Sequence, residues 1–350
     1  MAHRSTRLSR RTAAAVGLVT ACGLLTGCAS TDYADDTVTI GYFANVTHAP
    51  ALIADGAGLF DARLAEAGAT ASTQSFRAGP ESLQAVLAGS VDVAYLGPNP
   101  TVTAYLQSRG EAVRVIAGST SGGASLVVRP GIESPEDLRG KRLATPQLGN
   151  TQDIALRHWL GTQGLTATDD GGGDVSVLPQ PNSAAVQAFT AGGIDGGWLP
   201  EPFATRLVEA GGVVLVDERD LWPDGLFAST TVIANPRFVE ERPDLLRAFL
   251  DAHLDALALI DEDPVAARDA AASQITALTG QVMDPGTLRA SWETLEFTVE
   301  PLADTLRAAA AHADAVGLLP DKPNDDFARL WDLAVLNEAL DARGLAEVAS

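Results

Sequence analysis

The chain has 350 residues, 24 Lys and Arg against 45 Asp and Glu, and a formal net charge of −21. That balance argues against a nucleic-acid partner, while 46% hydrophobic residues over this length suffice for a large core and more than one domain. Four of the cations, Arg4, Arg7, Arg10 and Arg11, fall in the first eleven residues, which leaves 20 cations against 45 acids for the rest of the chain.

Behind these arginines an uncharged, largely apolar run covers 12–27 and ends in Leu25-Thr26-Gly27-Cys28. It is shorter than the roughly 20 residues a membrane-spanning helix needs. A basic head, a short apolar middle and small residues before a break predict a secretory signal over 1–27. The tetrad ending at Cys28 resembles the lipobox of bacterial lipoproteins, which implies cleavage before Cys28, acylation of its thiol and anchoring at the outer face of the cell membrane; the alternative is an ordinary signal peptide with a chance cysteine. Cys22 would leave with the signal, so no intramolecular disulfide is expected. Residues 28–37 then form the lipidated cysteine and a polar, acidic tether.

From residue 38 the pattern alternates. Short β-branched or apolar runs bounded by Gly, Pro, Asn or Asp predict strands at 38–43, 71–76, 91–96, 113–118, 125–129, 141–146, 174–180, 194–199, 213–218 and 231–235. Between most of them, apolar residues at three- and four-residue spacing predict helices at 49–60, 80–88, 100–107, 153–160, 183–191 and 202–210. Strand and helix in alternation mean an α/β fold with largely parallel sheet. Beyond Pro236 only helices are expected, at 243–261, 264–279, 285–295, 302–316 and 325–343. The order suggests two α/β lobes and a helical tail.

The strand-to-helix junctions share a composition. "ANVTHAP" (44–50), "RAGPES" (77–82), "LGPNP" (96–100), "TPQLGNTQ" (145–152) and "WLPEP" (198–202) each place proline at or near a helix start, with Asn, Thr or Gly ahead of it. In parallel α/β sheets such junctions lie at the carboxyl ends of the strands, where ligands bind. A helix start offers backbone N–H groups without intrahelical partners and about half a positive charge. Several starts converging on one cleft would make an anion site without basic side chains. Amides and hydroxyls at the mouth leave those donors free and add their own, whereas a carboxylate would occupy them.

The runs "IGYFANVTHAPALIADGAGLF", "FRAGPESLQAVLAGSVDVAYLGPNP", "ATPQLGNTQDIALRHWL" and "IDGGWLPEPFATRLV", followed by "VLVDERDLWPDG", resemble the substrate-binding proteins of ABC importers for nitrate, sulfonates and taurine. The resemblance spans 38 to about 343. It implies a type II periplasmic-binding-protein fold, with lobe one at 38–124 and 228–350, lobe two at 125–227, and a hinge at the two crossings, 122–128 and 228–234. It also implies a monomeric carrier that takes no cofactor or metal and serves an ABC permease.

By position in these motifs, Asn45, Thr47, His48, Gly79, Gly97 and Asn99 would face the cleft from lobe one, and Gln147, Asn150, Thr151, Gln152, Trp198 and Glu201 from lobe two. Asn45, Thr47, Asn99, Gln147, Asn150 and Thr151 are assigned to hydrogen bonding of a sulfonate or similar oxyanion. Trp198 would wall the apolar part of the solute. Glu201 has two readings: it pairs with a ligand ammonium, as in taurine, or it is an exposed first-turn acid favoured by the helix dipole. His48 raises an alternative, since a related group of the same fold binds a pyrimidine precursor of thiamine and an enzymatic branch makes it with cysteines and iron. This chain has no cysteine cluster, and His48, His158, His253 and His312 lack metal-ligand spacing.

Other motifs are incomplete. "GSTSG" (118–122) has Thr120 where a nucleophile elbow needs serine, "GAGLFD" (56–61) lacks a dinucleotide turn's third glycine, "RGKR" (139–142) follows no phosphate-cradling loop, and "DDGGGD" (169–174) lacks calcium-loop spacing. Trp159 and Trp331 are expected in the core. Trp222 either lines the cleft or packs away from it.

Overall fold

The computed structural model describes residues 36–319 and 327–350. The signal segment 1–27, Cys28 and the tether to residue 35 lie outside the described residues, as do the first two residues of the helix expected at 325–343. The first lobe opens with β1 (Thr37–Phe43), a short 3-10 turn, α1 (Ala49–Gly56), α2 (Leu59–Glu66), β2 (Thr70–Phe76), α3 (Gly79–Leu87), β3 (Val93–Leu96), α4 (Pro98–Gln107) and β4 (Arg114–Gly122). The second contains β5 (Ala124–Val128), β6 (Arg142–Thr145), α5 (Thr151–Thr162), β7 (Ser176–Pro179), α6 (Asn182–Thr190), β8 (Gly196–Pro200), α7 (Phe203–Glu209) and β9 (Val213–Asp217). The chain then returns through β10 (Ala228–Ala234) to α8 (Pro236–Glu241), α9 (Pro243–Glu262), α10 (Pro264–Thr279), α11 (Pro285–Trp292), β11 (Leu295–Phe297), α12 (Ala303–Ala315) and α13 (Ala334–Ala342). Helices α8 to α11 each open on a proline, whose missing N–H costs nothing in a first turn.

Two sheets result, ordered β11-β4-β10-β3-β1-β2 and β7-β6-β8-β5-β9. The pairings β1 with β2 and β3, and β6 with β7 and β8, are parallel as the alternation predicts. The expectation of largely parallel sheet is nevertheless corrected: β10 runs antiparallel to β3 and β4, β5 to β8 and β9, and β11 to β4. Strands that arrive from the other lobe need no crossover helix on their own sheet, and nothing then obliges them to run parallel. The strand β11 also overturns the expectation that strands stop at Pro236, and residues 327–333 precede α13 instead of belonging to it.

Period-two alternation builds the second lobe. From β5, Leu126 and Val128 join one core cluster and Val127 the other; β6 and β8 divide Leu143 from Ala144 and Trp198 from Leu199 in the same way. Helix α5 covers the first face with Leu156, Trp159 and Leu160, while α6 and α7 cover the second with Ala185, Phe189 and Leu207. Trp159 is core, as expected; Trp331 packs half-buried against the first lobe's core, with the Arg307 guanidinium 4.5 Å from its ring centroid.

In the first lobe a buried polar link ties β3, β4 and α9 together. The His253 Nε2 lies 3.0 Å from the Gly118 carbonyl oxygen, and Nδ1 lies 2.9 Å from the Tyr95 hydroxyl. A carbonyl only accepts, so Nε2 carries the proton and Nδ1 accepts from the tyrosine. Burial holds the His253 pKa down to about 4, which keeps the ring neutral and this pairing intact.

The strand β4 also admits close backbone approach from 298–300. A Cβ on Gly118 would lie 1.9 Å from the Glu300 carbonyl oxygen and 2.9 Å from that of Thr298. Gly118→Ala is expected to cost about 1–3 kcal/mol, which lowers the melting temperature by roughly 2–10 °C in a circular-dichroism melt. A melt superimposable on wild type would show that 298–300 peels from β4 without cost.

Candidate functional site

All five proline-marked junctions contribute to the wall of one cavity of about 40 Å³, the fifth through Pro200 alone. The β1-to-α1 turn contributes Asn45, Thr47 and His48, the start of α3 contributes Arg77 and Gly79, and the start of α4 contributes Gly97. From the second lobe come Asn150, Thr151 and Gln152 at the start of α5, Asn182 at the start of α6, and Pro200 at the end of β8. Ser229, early in β10, completes the wall. Four helices of eight or more residues thus begin at this cavity, and their first-turn N–H groups have no intrahelical partner, although Pro80, Pro98 and Pro100 remove three of them.

No carboxylate among the described residues lines it, in a chain with 45 acids. The acid nearest in sequence, Asp153 in the first turn of α5, is fully buried and turned into its own lobe. Its carboxylate accepts from Thr145 Oγ1 at 2.7 Å, Gly149 N at 3.0 Å and Arg157 Nε at 2.9 Å. Its own N–H donates to Asn150 Oδ1 at 3.0 Å, the N-cap bond of α5. This buried pair fixes the 146–150 loop and spends the negative charge away from the cavity.

His48 is buried and its Nδ1 has no hydrogen-bond partner among the described residues. Desolvation lowers its pKa to about 3, so the ring is a neutral donor-acceptor at ordinary pH. The Asn182 Oδ1 is likewise buried without a partner. An unpartnered buried polar atom costs about 1–3 kcal/mol, which at Asn182 Oδ1 only a hydrogen-bond donor would recover and at His48 either a donor or an acceptor, depending on the tautomer. Across the lobes, a Cβ on Gly97 would come within 2.6 Å of Thr151 Oγ1, so a side chain at 97 would force Thr151 to shift.

Residues 32–276, most of the chain, match the NMT1-like family. The chain belongs to that family. Over 222 residues this NMT1-like protein is 29% identical to the taurine-binding periplasmic protein of Escherichia coli (strain K12), covering 63% of this chain and 65% of that one, so it spans just under two thirds of that relative's length. Its fold matches the alkanesulfonate-binding protein of Xanthomonas axonopodis pv. citri bound to MOPS, at 21% identity and a TM-score of 0.66 over 82% of this chain and 95% of that one. It also matches the periplasmic nitrate-binding protein of Synechocystis PCC 6803, at 15% identity and a TM-score of 0.72 over 88% and 89% of the two chains. The architecture is accordingly the type II periplasmic-binding-protein fold, two α/β lobes joined by a two-segment hinge with a helical tail.

The NMT1-like chain does not bring every expected residue to the cavity. Asn99 donates its amide to the Ala309 carbonyl at 2.9 Å and lines a separate small interlobe space. Gln147 borders a neighbouring cavity of about 340 Å³. Trp198 is fully buried, with Nε1 donating to Glu218 Oε2 at 2.7 Å. Glu201 fits neither reading of it, being buried and accepting from Thr205 N at 3.1 Å and Ser291 Oγ at 3.0 Å. Trp222 packs away from this cavity, beside His312, whose ring stacks at 3.7 Å on His158 of the opposite lobe. In the β8-to-α7 turn Pro200 faces the cavity, whereas Glu201 reaches Ser291 of α11.

Arg77, Asn182 and Ser229 line the cavity without having been singled out in the sequence. Arg77 stands inside the "RAGPES" motif and could have been read there; Asn182 follows Pro181 at a junction whose strand ends in an unremarkable "LPQ".

Desolvation raises the pKa of Glu218 to about 7. The fold therefore favours its neutral form: that stabilisation is complete below the ordinary 4.5 and is lost as pH rises through 7. Glu218→Gln, which still accepts from Trp198, is expected to remove this slope and to stabilise the protein above pH 7 by on the order of 3 kcal/mol. Urea unfolding at pH 4.5 and above pH 7 measures it; parallel pH dependences in variant and wild type would refute the assignment.

Proposed function

We propose that this protein is the extracytoplasmic solute-binding component of an ABC importer, capturing a small sulfonate or related oxyanion such as nitrate between its lobes and delivering it to a membrane permease. The observation that carries the reading is the acid-free cavity into which four helix starts converge within a strongly acidic chain. Its volume of about 40 Å³ suits the head of such an anion, since a water-sized atom needs roughly 10–15 Å³.

The NMT1-like relatives support the reading, named as they are for binding taurine, alkanesulfonates and nitrate. In it, first-turn N–H groups, Asn45, Thr47, His48, Thr151 and Gln152 donate to the anion's oxygens, and Arg77 closes the mouth. Residues from both lobes contact one solute, so the solute favours the closed arrangement by its differential affinity for it. The chain acts as a carrier and not as a catalyst, held at the membrane through Cys28 or released after cleavage at an ordinary signal.

Thermal shift of the mature protein tests this directly. A sulfonate, taurine or nitrate at about a hundredfold excess over Kd is expected to stabilise it by roughly 2.7 kcal/mol. A shift produced by thiamine pyrimidines and by none of the oxyanions would replace this reading.

Gly97→Ala places a methyl group 2.6 Å from Thr151 Oγ1. It is expected to abolish the ligand-induced shift while the ligand-free melt stays within a few degrees of wild type, because the clash arises only between lobes. An unaltered shift would mean that closure does not bring Gly97 against Thr151.

A further inference from the structure

Outside the oxyanion cavity, and sharing Asn45, Arg77 and Asn182 with it, lies a larger cavity of about 420 Å³. One side is apolar, formed by Phe203, Ile275, Leu278 and Met283. Two arginines, Arg77 and Arg206, also line it, and no Asp or Glu among the described residues does. Neither arginine makes an ion pair among the described residues. Arg206 lies over the Phe203 ring at 5.5 Å, and the backbone N–H of Arg77, not its guanidinium, bonds Glu81.

Most arginines of the described residues are bound to acids. Eleven, among them Arg63, Arg157 and Arg343, are paired with carboxylates. With acids in such excess, two unpaired guanidinium groups on one cavity wall make a local positive field that an incoming anion would neutralise. The acid placed by sequence to receive an ammonium, Glu201, is buried and spent on Thr205 and Ser291. The two guanidinium groups therefore suit a second negative charge, and no carboxylate among the described residues lines the cavity to pair with a positive one.

We propose that the preferred solute is a dianion: an oxyanion head in the inner cavity, a short alkyl or aryl spacer along the apolar side, and a second anionic group, such as a carboxylate, at Arg77 and Arg206. The inference rests on the oxyanion reading of the inner cavity and sharpens it, since it sets this protein apart from a carrier of zwitterionic aminosulfonates. Arg206 acts on selectivity among sulfonates, because it lines the outer cavity and not the inner one.

Calorimetric titration of the mature protein with three length-matched probes decides it: propane-1-sulfonate, 3-aminopropane-1-sulfonate and 3-sulfopropanoate. The dianion is expected to bind about tenfold tighter than the monoanion, the effect of one charge-assisted hydrogen bond, and the zwitterion weakest of the three. Arg206→Gln and Arg77→Gln should each reduce the dianion-to-monoanion affinity ratio, while Arg206→Lys, which keeps the charge, should preserve most of it. Equal affinity for monoanion and dianion, tighter binding of the amine, or a ratio untouched by both glutamine variants would overturn the proposal while leaving the oxyanion reading in place. If none of the three probes binds, and nitrate does not either, the oxyanion reading itself fails and this inference falls with it.

Discussion

An anion taken out of water must be given hydrogen bonds as good as those it leaves, and donors that are already fixed in place cost no reorganisation. Helix starts are such donors, because their first-turn N–H groups have no intrahelical partner and all point the same way. The architecture described above follows from holding four of them around one space. Each sheet sets its helices in line with the carboxyl ends of its parallel strands, and each lobe brings two of the four starts to the interface. The cavity then needs only polar side chains that do not compete for those N–H groups.

Keeping negative charge out of that space is the harder requirement in so acidic a protein. Asp153 shows how it is met: the carboxylate sits in the first turn of α5, yet Thr145, Gly149 and Arg157 hold it on the inner side of the helix. Removing one partner of a buried pair of this kind typically costs 3–5 kcal/mol, because the other charge is left alone. Glu218 and Glu201 are handled differently. Both are withdrawn into the protein, where desolvation raises their pKa.

Much of this could be read from residue order. Alternation of β-branched runs with helical spacing located ten of the eleven strands among the described residues, and proline near Asn, Thr or Gly marked three of the four helix starts that meet at the cavity, the start of α6 being the exception. What failed, failed for identifiable reasons. A three-residue strand such as β11 exists only because β4 offers it an edge, and nothing local announces it. Sheet direction depends on which lobe a strand arrives from, which spacing does not encode. Trp198 and Glu201 were assigned by the motif they share with their neighbours, but strand alternation turns Trp198 into the core and the α7 turn directs Glu201 to α11. Arg77 opens the "RAGPES" junction and was legible there, but a site built from backbone N–H groups and amides gives no reason to single out a cation.

The position of β10 has a consequence for how the polypeptide is assembled. It lies between β4 and β3, in the middle of the first sheet, although more than a hundred residues separate it from either neighbour. The second sheet draws all its strands from one contiguous stretch and can close as soon as that stretch is synthesised. The first sheet stays split, with β3 and β4 exposing unpaired edges, until residues 228–234 emerge. Nascent chains therefore pass through an interval in which one half is complete and the other is an open template, and long-range closure of that gap is the slow event that topology imposes.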